Sequence, residues 1–406
     1  MIEMGGENNR RVEVQKFGPS DADVIVTFGR DESIGAMSGL IDKMSGAHAR
    51  MLSEAGGLQM DFALAEGEAV IMPELGIAVI RSDPEAAAQM LSSPLPAGVA
   101  GIERSLPVFA LPSSAAPENH QDTNQGTWGL HATGVLNSHL TGAGIKVAIL
   151  DTGLDFSHPD FHGRAIQQRS FIANETAQDD NGHGTHCTGT ACGPVTSAGG
   201  IRYGIASEAE IFIGKVLSNS GAGSTTSVIA GIEWAIEEAC HVVSLSLGSG
   251  ASIGMPLSKA YARVSEIAAE REVLLVAAAG NDSDRPAYRS PLNAPARNPG
   301  FLSVAALDRY LKVASFSCAA LDPNVNQLDL SAPGVAVLSS YPVKFGGFRH
   351  LSGTSMAAPH VAGIAALLAE GDNQLRGRDL RNALISMAKA LAGQHISDVG
   401  AGLVQI

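Results

Sequence analysis

Near its end the chain reads Gly353-Thr354-Ser355-Met356-Ala357-Ala358-Pro359-His360, followed by Val361-Ala362-Gly363-Ile364-Ala365-Ala366-Leu367-Leu368. Val361, Ile364, Ala365 and Leu368 recur at helical spacing. The glycine and threonine mark a helix start, and Pro359 is expected in the first turn, where a missing N–H costs least. Ser355 is thereby placed at or just before a helix N-terminus, where free backbone N–H groups and the positive end of the helix dipole favour an oxyanion beside its hydroxyl. Such a serine can be a mere helix cap. To act as a nucleophile at neutral pH it needs a base, a group that orients the base, and an oxyanion donor.

Working outward, the segments before this helix alternate between apolar runs and amphipathic stretches. Ile145–Leu150, Glu210–Val216, His241–Ser246 and Val273–Ala279 read as strands, and His183–Cys192, Ser224–Ala239 and Pro256–Glu270 as helices between them. Near-continuous apolar strands separated by helices imply a parallel sheet covered on both faces, a doubly wound α/β fold. In such sheets the ligand site lies at the carboxyl ends of the strands.

Three further residues emerge at that edge. Asp151 follows the first strand in Asp151-Thr152-Gly153-Leu154-Asp155; alone it reads equally as a turn acid. His183 opens a helix in Asn181-Gly182-His183-Gly184-Thr185-His186, whereas His186, three residues on, is expected to pack inside. Asn281 follows the fourth strand in Ala279-Gly280-Asn281-Asp282, where it is either an ordinary turn residue or an amide donor aimed into the site. Two histidines three apart also raise zinc, but the H-E-x-x-H pattern is absent and no third ligand is evident, so no metal site is expected.

These motifs, with Ser246-Leu247-Gly248 and the closing Gly400-Ala401-Gly402-Leu403-Val404, resemble those of subtilisin-like serine proteases, the subtilase family, in the chain order Asp, His, Asn, Ser. The resemblance implies a serine endopeptidase in which Ser355 attacks the peptide carbonyl, His183 moves the proton, Asp151 orients the imidazole and Asn281 stabilises the oxyanion. It implies further that Gly221-Ala222-Gly223 and Ser246-Leu247-Gly248 bind extended peptides through their backbones. Asn293, in Asn293-Ala294-Pro295-Ala296, lies at the base of the main specificity pocket on the same reading. Neither a carboxylate nor a bulky plug is evident in that segment, so a neutral P1 side chain, apolar or small, is expected.

The first part of the chain differs in character. Asp23–Phe28, Ala69–Met72, Gly76–Ile80 and Val99–Glu103 read as strands, 33–54 and 83–91 as helices, and 1–20 as a frayed polar stretch. The order β-α-β-β-α-β suits a small α+β ferredoxin-like unit with both helices on one face of an antiparallel sheet. By the resemblance, residues 1–111 are an inhibitor- and chaperone-like prodomain, 112–127 a linker containing the processing region, and 128–406 the peptidase domain. The prodomain's tail is placed at Leu106–Leu111. Leu111–Pro112 is a poor scissile bond, so self-cleavage is expected within 110–124. The resemblance also suggests structural calcium, which many relatives hold in an asparagine-rich loop after the histidine helix. The matching loop here, Pro194–Tyr203, has no carboxylate or amide, so no calcium ligands are identifiable; no cofactor is required for the chemistry.

The resemblance implies polypeptide substrates and the chain's own prodomain as partners, and composition argues against others. The net charge is −14, with 8 Lys/Arg against 16 Asp/Glu in residues 1–115 and 19 against 25 in the rest, so no basic surface for nucleic acid is expected. No apolar run is long enough to span a membrane. Residues 1–7 lack a basic and apolar leader, which reads as a cytoplasmic protein, or a secreted one whose signal has been removed. The four cysteines, Cys187, Cys192, Cys240 and Cys318, are expected as buried free thiols. Acyl transfer to an amine and a non-catalytic scaffold are the rival uses of the same constellation, separable by product analysis and by a fluorophosphonate probe.

Overall fold

The computed structural model describes residues 23–52, 64–115, 122–325 and 327–406; the stretch 1–20 lies outside them. Seven strands form one parallel sheet, in the spatial order Leu330–Pro333, Phe301–Leu307, Leu274–Ala278, Val242–Leu245, Lys146–Asp151, Glu210–Lys215, Ile166–Ser170. Alternate side chains of each strand point to opposite faces. Val147, Ile149 and Val276 join one core, with Val361 and Ile364 of the helix Thr354–Gly371. Ala148, Leu150, Val243 and Leu275 join another, with Val228, Ile232 and Trp234 of the helix Thr225–Glu237. Both faces are therefore dry, which is why these strands carry apolar runs rather than alternation.

Three strands of this sheet were not read from the sequence. Ile166–Ser170 is an edge strand, Ile-Gln-Gln-Arg-Ser, and its mostly half-exposed residues carry no apolar run. Phe301–Leu307 is wholly buried and has the same pattern as its neighbours, and Leu330–Pro333 is short.

A second sheet has the order His48–Met51, Glu68–Met72, Ile77–Arg81, Asp23–Phe28, Val99–Arg104, antiparallel except for the first pair. The helix expected over 33–54 is shorter, Ile34–Ser45, capped by the Ser33 hydroxyl on Ala36 N. Gly46, at φ 67°, takes the left-handed conformation that ends a helix, and the chain turns into the additional edge strand His48–Met51. The second helix, Pro84–Ser92, is capped by Asp83, whose side chain accepts from Glu85 N and Ala86 N.

This sheet is buried on both faces. Val24, Val26 and Ile80 pack on its own helices. Ile25, Val70 and Val79 pack against Val228, Ile232, Tyr261 and Val264 of the helices Thr225–Glu237 and Lys259–Glu270. At the seam Glu103 accepts from Ser258 Oγ (2.5 Å) and Lys259 N (2.8 Å), placing a carboxylate on a helix N-terminus, while Glu233 Oε1 accepts from Glu74 N (3.0 Å).

Candidate active site

Asp151 ends the strand Lys146–Asp151 and His183 begins the helix His183–Cys192. His183 Nδ1 lies 2.8 and 3.0 Å from the two carboxylate oxygens of Asp151, and both side chains are buried. With Nδ1 donating to the acid, Nε2 of the neutral ring is left as the proton acceptor. Burial opposes charging of the ring, but the adjacent Asp151 carboxylate outweighs it and holds His183 well above the usual imidazole range.

The helix is pressed onto the acid's turn. A Cβ on Gly184 would stand 2.3 Å from Gly153 O, so only glycine permits the approach, and Gly184 N donates to Thr152 Oγ1 at 2.8 Å. Asp179, missed in the sequence reading, organises this junction. Fully buried, it accepts from Thr152 Oγ1, Asn181 N, Gly182 N, Thr185 N and Thr185 Oγ1 at 2.6–3.0 Å. An aspartate just before a helix start was the available signal. His186 is buried as expected, its Nε2 at 3.0 Å from Val337 O and Arg349 O.

Ser355 is the second residue of the helix Thr354–Gly371. Pro359 lies beyond the first turn, inside the helix, rather than at its opening. Having no N–H, it leaves the carbonyl of Ser355, four residues earlier, without its helical partner. That carbonyl instead accepts from Ser246 Oγ (2.8 Å) and Cys187 Sγ (3.5 Å). The Ser355 hydroxyl donates to Ser246 O at 3.1 Å, and His183 Nε2 has no hydrogen-bond partner among the described residues. Asn281 is held by Thr354, whose N and Oγ1 donate to its Oδ1 at 2.9 and 2.8 Å, and its Nδ2 donates to Pro112 O at 2.9 Å.

The chain's own segment Pro107–Ala110 fills the cleft beside these groups. It is the central strand of an antiparallel trio between Ala222–Ser224 and Leu247–Gly248, with Phe109 opposite both Ala222 and Gly248, and Val108 opposite Gly223. Ala110 N donates to Gly221 O at 2.8 Å. Ser246 is not part of this pairing; it serves Ser355. Beyond Pro112, Ser114 pairs with Ser352 and Ala115 with Leu351.

Leu111 is buried and borders a cavity of about 440 Å³ shared with His183, Gly248, Asp282 and Asn293. Asp282 lines this cavity and its Oδ2 accepts from Asn293 Nδ2 at 2.8 Å. It follows Asn281 directly and so lay outside the segment in which an acid was sought.

An acid–imidazole pair and a helix-borne serine at the carboxyl edge of a parallel sheet, beside a cleft that pairs with an extended strand, define a serine peptidase of the α/β class. The chain belongs to the subtilase family, whose model matches residues 142–402. It is 39% identical over 281 residues to Subtilisin Savinase of Lederbergia lenta, covering 68% of this chain and 96% of that one. It is equally 39% identical over 281 residues to M-protease of Shouchella clausii, covering 68% of each chain. The match to Subtilisin E of Bacillus subtilis, 31% identical over 395 residues, covers 97% of this chain and 92% of that one. The chain is thus a subtilisin-like serine peptidase, a hydrolase whose chemistry needs no cofactor. Among the described residues no helix is long and apolar enough to cross a membrane.

All four cysteines are free and buried. Cys187 lies one helical turn after His183, with Sγ 3.9 Å from Nδ1, and burial pushes its thiol pKa up. Mercuric ion, small and thiol-seeking, is expected to reach Cys187 once the cleft is vacated. There it should displace the imidazole enough to cut activity by roughly 10². Iodoacetamide should have little effect. Cys187→Ala should be resistant to mercury; sensitivity that survives in it but disappears in Cys318→Ala would move the responsive thiol beneath Asn281, where Cys318 Sγ lies 3.4 Å from Asp282 N.

Proposed function

We propose that this protein is a serine endopeptidase of broad specificity for extended polypeptides, made as a self-processing zymogen. The observation that carries the reading is the strand Pro107–Ala110 threaded between two backbone rails and leading to the Asn281 amide. Main-chain pairing of this kind accepts most sequences, because only alternate side chains meet pockets.

In this reading Ser355 is the nucleophile. A turn about its Cα–Cβ bond releases Ser246 O and presents the hydroxyl to His183 Nε2, which takes the proton as Oγ attacks the scissile carbonyl. Asp151 keeps Nδ1 protonated and stabilises the imidazolium that forms. The Asn281 amide and the Ser355 N–H receive the oxyanion. His183 then gives its proton to the leaving amine, and water repeats the sequence on the acyl-enzyme. Gly221-Ala222-Gly223 and Leu247-Gly248 act as the substrate-binding segments, Ser246 beside them holding Ser355, with Asn293 at the P1 pocket.

Residues 1–111 act as the ferredoxin-like prodomain, 112–127 as the linker with its processing region, and 128–406 as the peptidase domain. Added in trans, a folded 1–111 fragment should inhibit the mature enzyme. Absence of inhibition at micromolar fragment would defeat the zymogen reading.

The inhibition should also depend on pH. Glu233 is fully buried at the seam, its Oε2 has no partner among the described residues, and burial, reinforced by Glu237 and Glu74, holds its carboxyl pKa well above the usual range. Departure of the prodomain removes the Glu74 and Leu75 N–H donors, which lower the value, but also the covering burial and the Glu74 charge, which raise it; burial is the largest cause, so the complex is expected to hold more protons than its separated parts. Affinity should therefore fall as pH rises from the ordinary carboxyl range through the raised value. In Glu233→Gln, inhibition constants measured across pH should lose that slope; an unchanged slope would place the titrating group elsewhere.

A further inference from the structure

The residues of the loop after the histidine helix do not fit a calcium ion of the kind many subtilases hold there. In hydrogen-bond contact with residues 194–203 among those described is one carboxylate, Asp160, and both its oxygens face donors. Oδ1 accepts from Ala198 N at 2.7 Å and Oδ2 from the Tyr203 hydroxyl at 2.6 Å. Each oxygen thus spends a lone-pair site on a donor hydrogen, and the charge a cation would need is already shared with those donors. Three of the loop's own carbonyls are engaged as well: Ile201 O accepts from Ser197 Oγ at 2.7 Å, Ser197 O from Gly200 N at 3.0 Å, and Arg202 O from Thr127 N at 2.9 Å.

Positive charge is supplied covalently. The Arg164 guanidinium donates to Cys192 O and Ala209 O, both at 2.8 Å, and Arg202 donates to Gly204 O and Ile205 O at 3.2 and 3.3 Å. Tyr203 is 1% exposed, and its ring meets Phe348 edge-on at 6.0 Å. Burial and the neighbouring Asp160 push its hydroxyl pKa far up, so it stays a donor throughout the range in which the protein is folded.

We infer that this loop is locked without metal by the buried Asp160–Tyr203 pair, with the guanidinium groups of Arg164 and Arg202 bracing the chain on either side of it. The lock replaces an exchangeable ion by side chains that cannot dissociate, so a chelator has nothing to withdraw at this point of the fold.

The test uses the full chain carrying Ser355→Ala, so that self-digestion does not enter, with thermal unfolding followed at a fixed scan rate in excess EDTA and in excess calcium. The two melting temperatures are expected to agree within about 2 °C. Tyr203→Phe, which strands a buried carboxylate oxygen, should lower Tm by about 3–8 °C in both buffers. A chelator-induced fall that is undiminished in Asp160→Asn places the responsive ion elsewhere and upholds the lock. A chelator-induced fall that vanishes in Asp160→Asn makes Asp160 a metal ligand and overturns it, as does a Tyr203→Phe variant that melts with its parent.

Discussion

Ser355→Ala is expected to lower peptidase activity by about 10⁶, the magnitude characteristic of the nucleophile in this family, and to leave the purified protein at full length. The two outcomes share one cause. The segment that ends in Leu111 and Pro112 lies in the cleft, with Pro112 O on the Asn281 amide, so in the proposed zymogen processing and substrate hydrolysis would draw on the same hydroxyl. The residual rate left by binding and the oxyanion donors should be detectable with an activated ester. Intact mass measured over days checks the second outcome. A Ser355→Ala chain that matures normally in a preparation free of other proteases would show that a different nucleophile, or a different enzyme, performs the cut.

Asp151→Asn should cost about 10⁴ in turnover, the order characteristic of the triad acid in serine peptidases, this family included. The substitution keeps the shape of the site but replaces an acceptor pair with an amide that can donate to Nδ1, which favours the wrong tautomer of His183. It should also move the pH profile. His183 must be neutral to accept the proton from Ser355, so activity rises with pH through its pKa, and in the parent the Asp151 carboxylate holds that value well above the ordinary one. Removing the charge should shift the acid limb of kcat/KM to lower pH while the plateau falls. If the limb stays in place, a group other than His183 sets it.

Much of the site is legible because its residues sit in short segments with their own local geometry. Asp151 ends an apolar run, His183 opens a helix after Gly182, and Ser355 stands in the first turn of the helix Thr354–Gly371. Each of these facts is a matter of a few neighbouring residues. Asp179 escaped because its five hydrogen bonds converge from Thr152, Asn181, Gly182 and Thr185, and burial of a lone aspartate leaves no mark in the pattern. The strand Ile166–Ser170 escaped because an edge position asks little of its side chains.

By itself, then, the sequence determined the doubly wound sheet and the side chains able to do chemistry at its carboxyl edge, since apolar periodicity and helix-start chemistry are local properties of the chain. The tertiary structure decided how those groups are used. Strand pairing across more than a hundred residues puts Phe109 between Ala222 and Gly248, and brings the Pro112 carbonyl to Asn281. A proline inside a helix frees Ser355 O for Ser246 and Cys187. Packing of the loop 194–203 commits Asp160 to Tyr203. Each depends on which distant surfaces meet, and that is set by the summed burial of both cores rather than by any stretch of neighbouring residues.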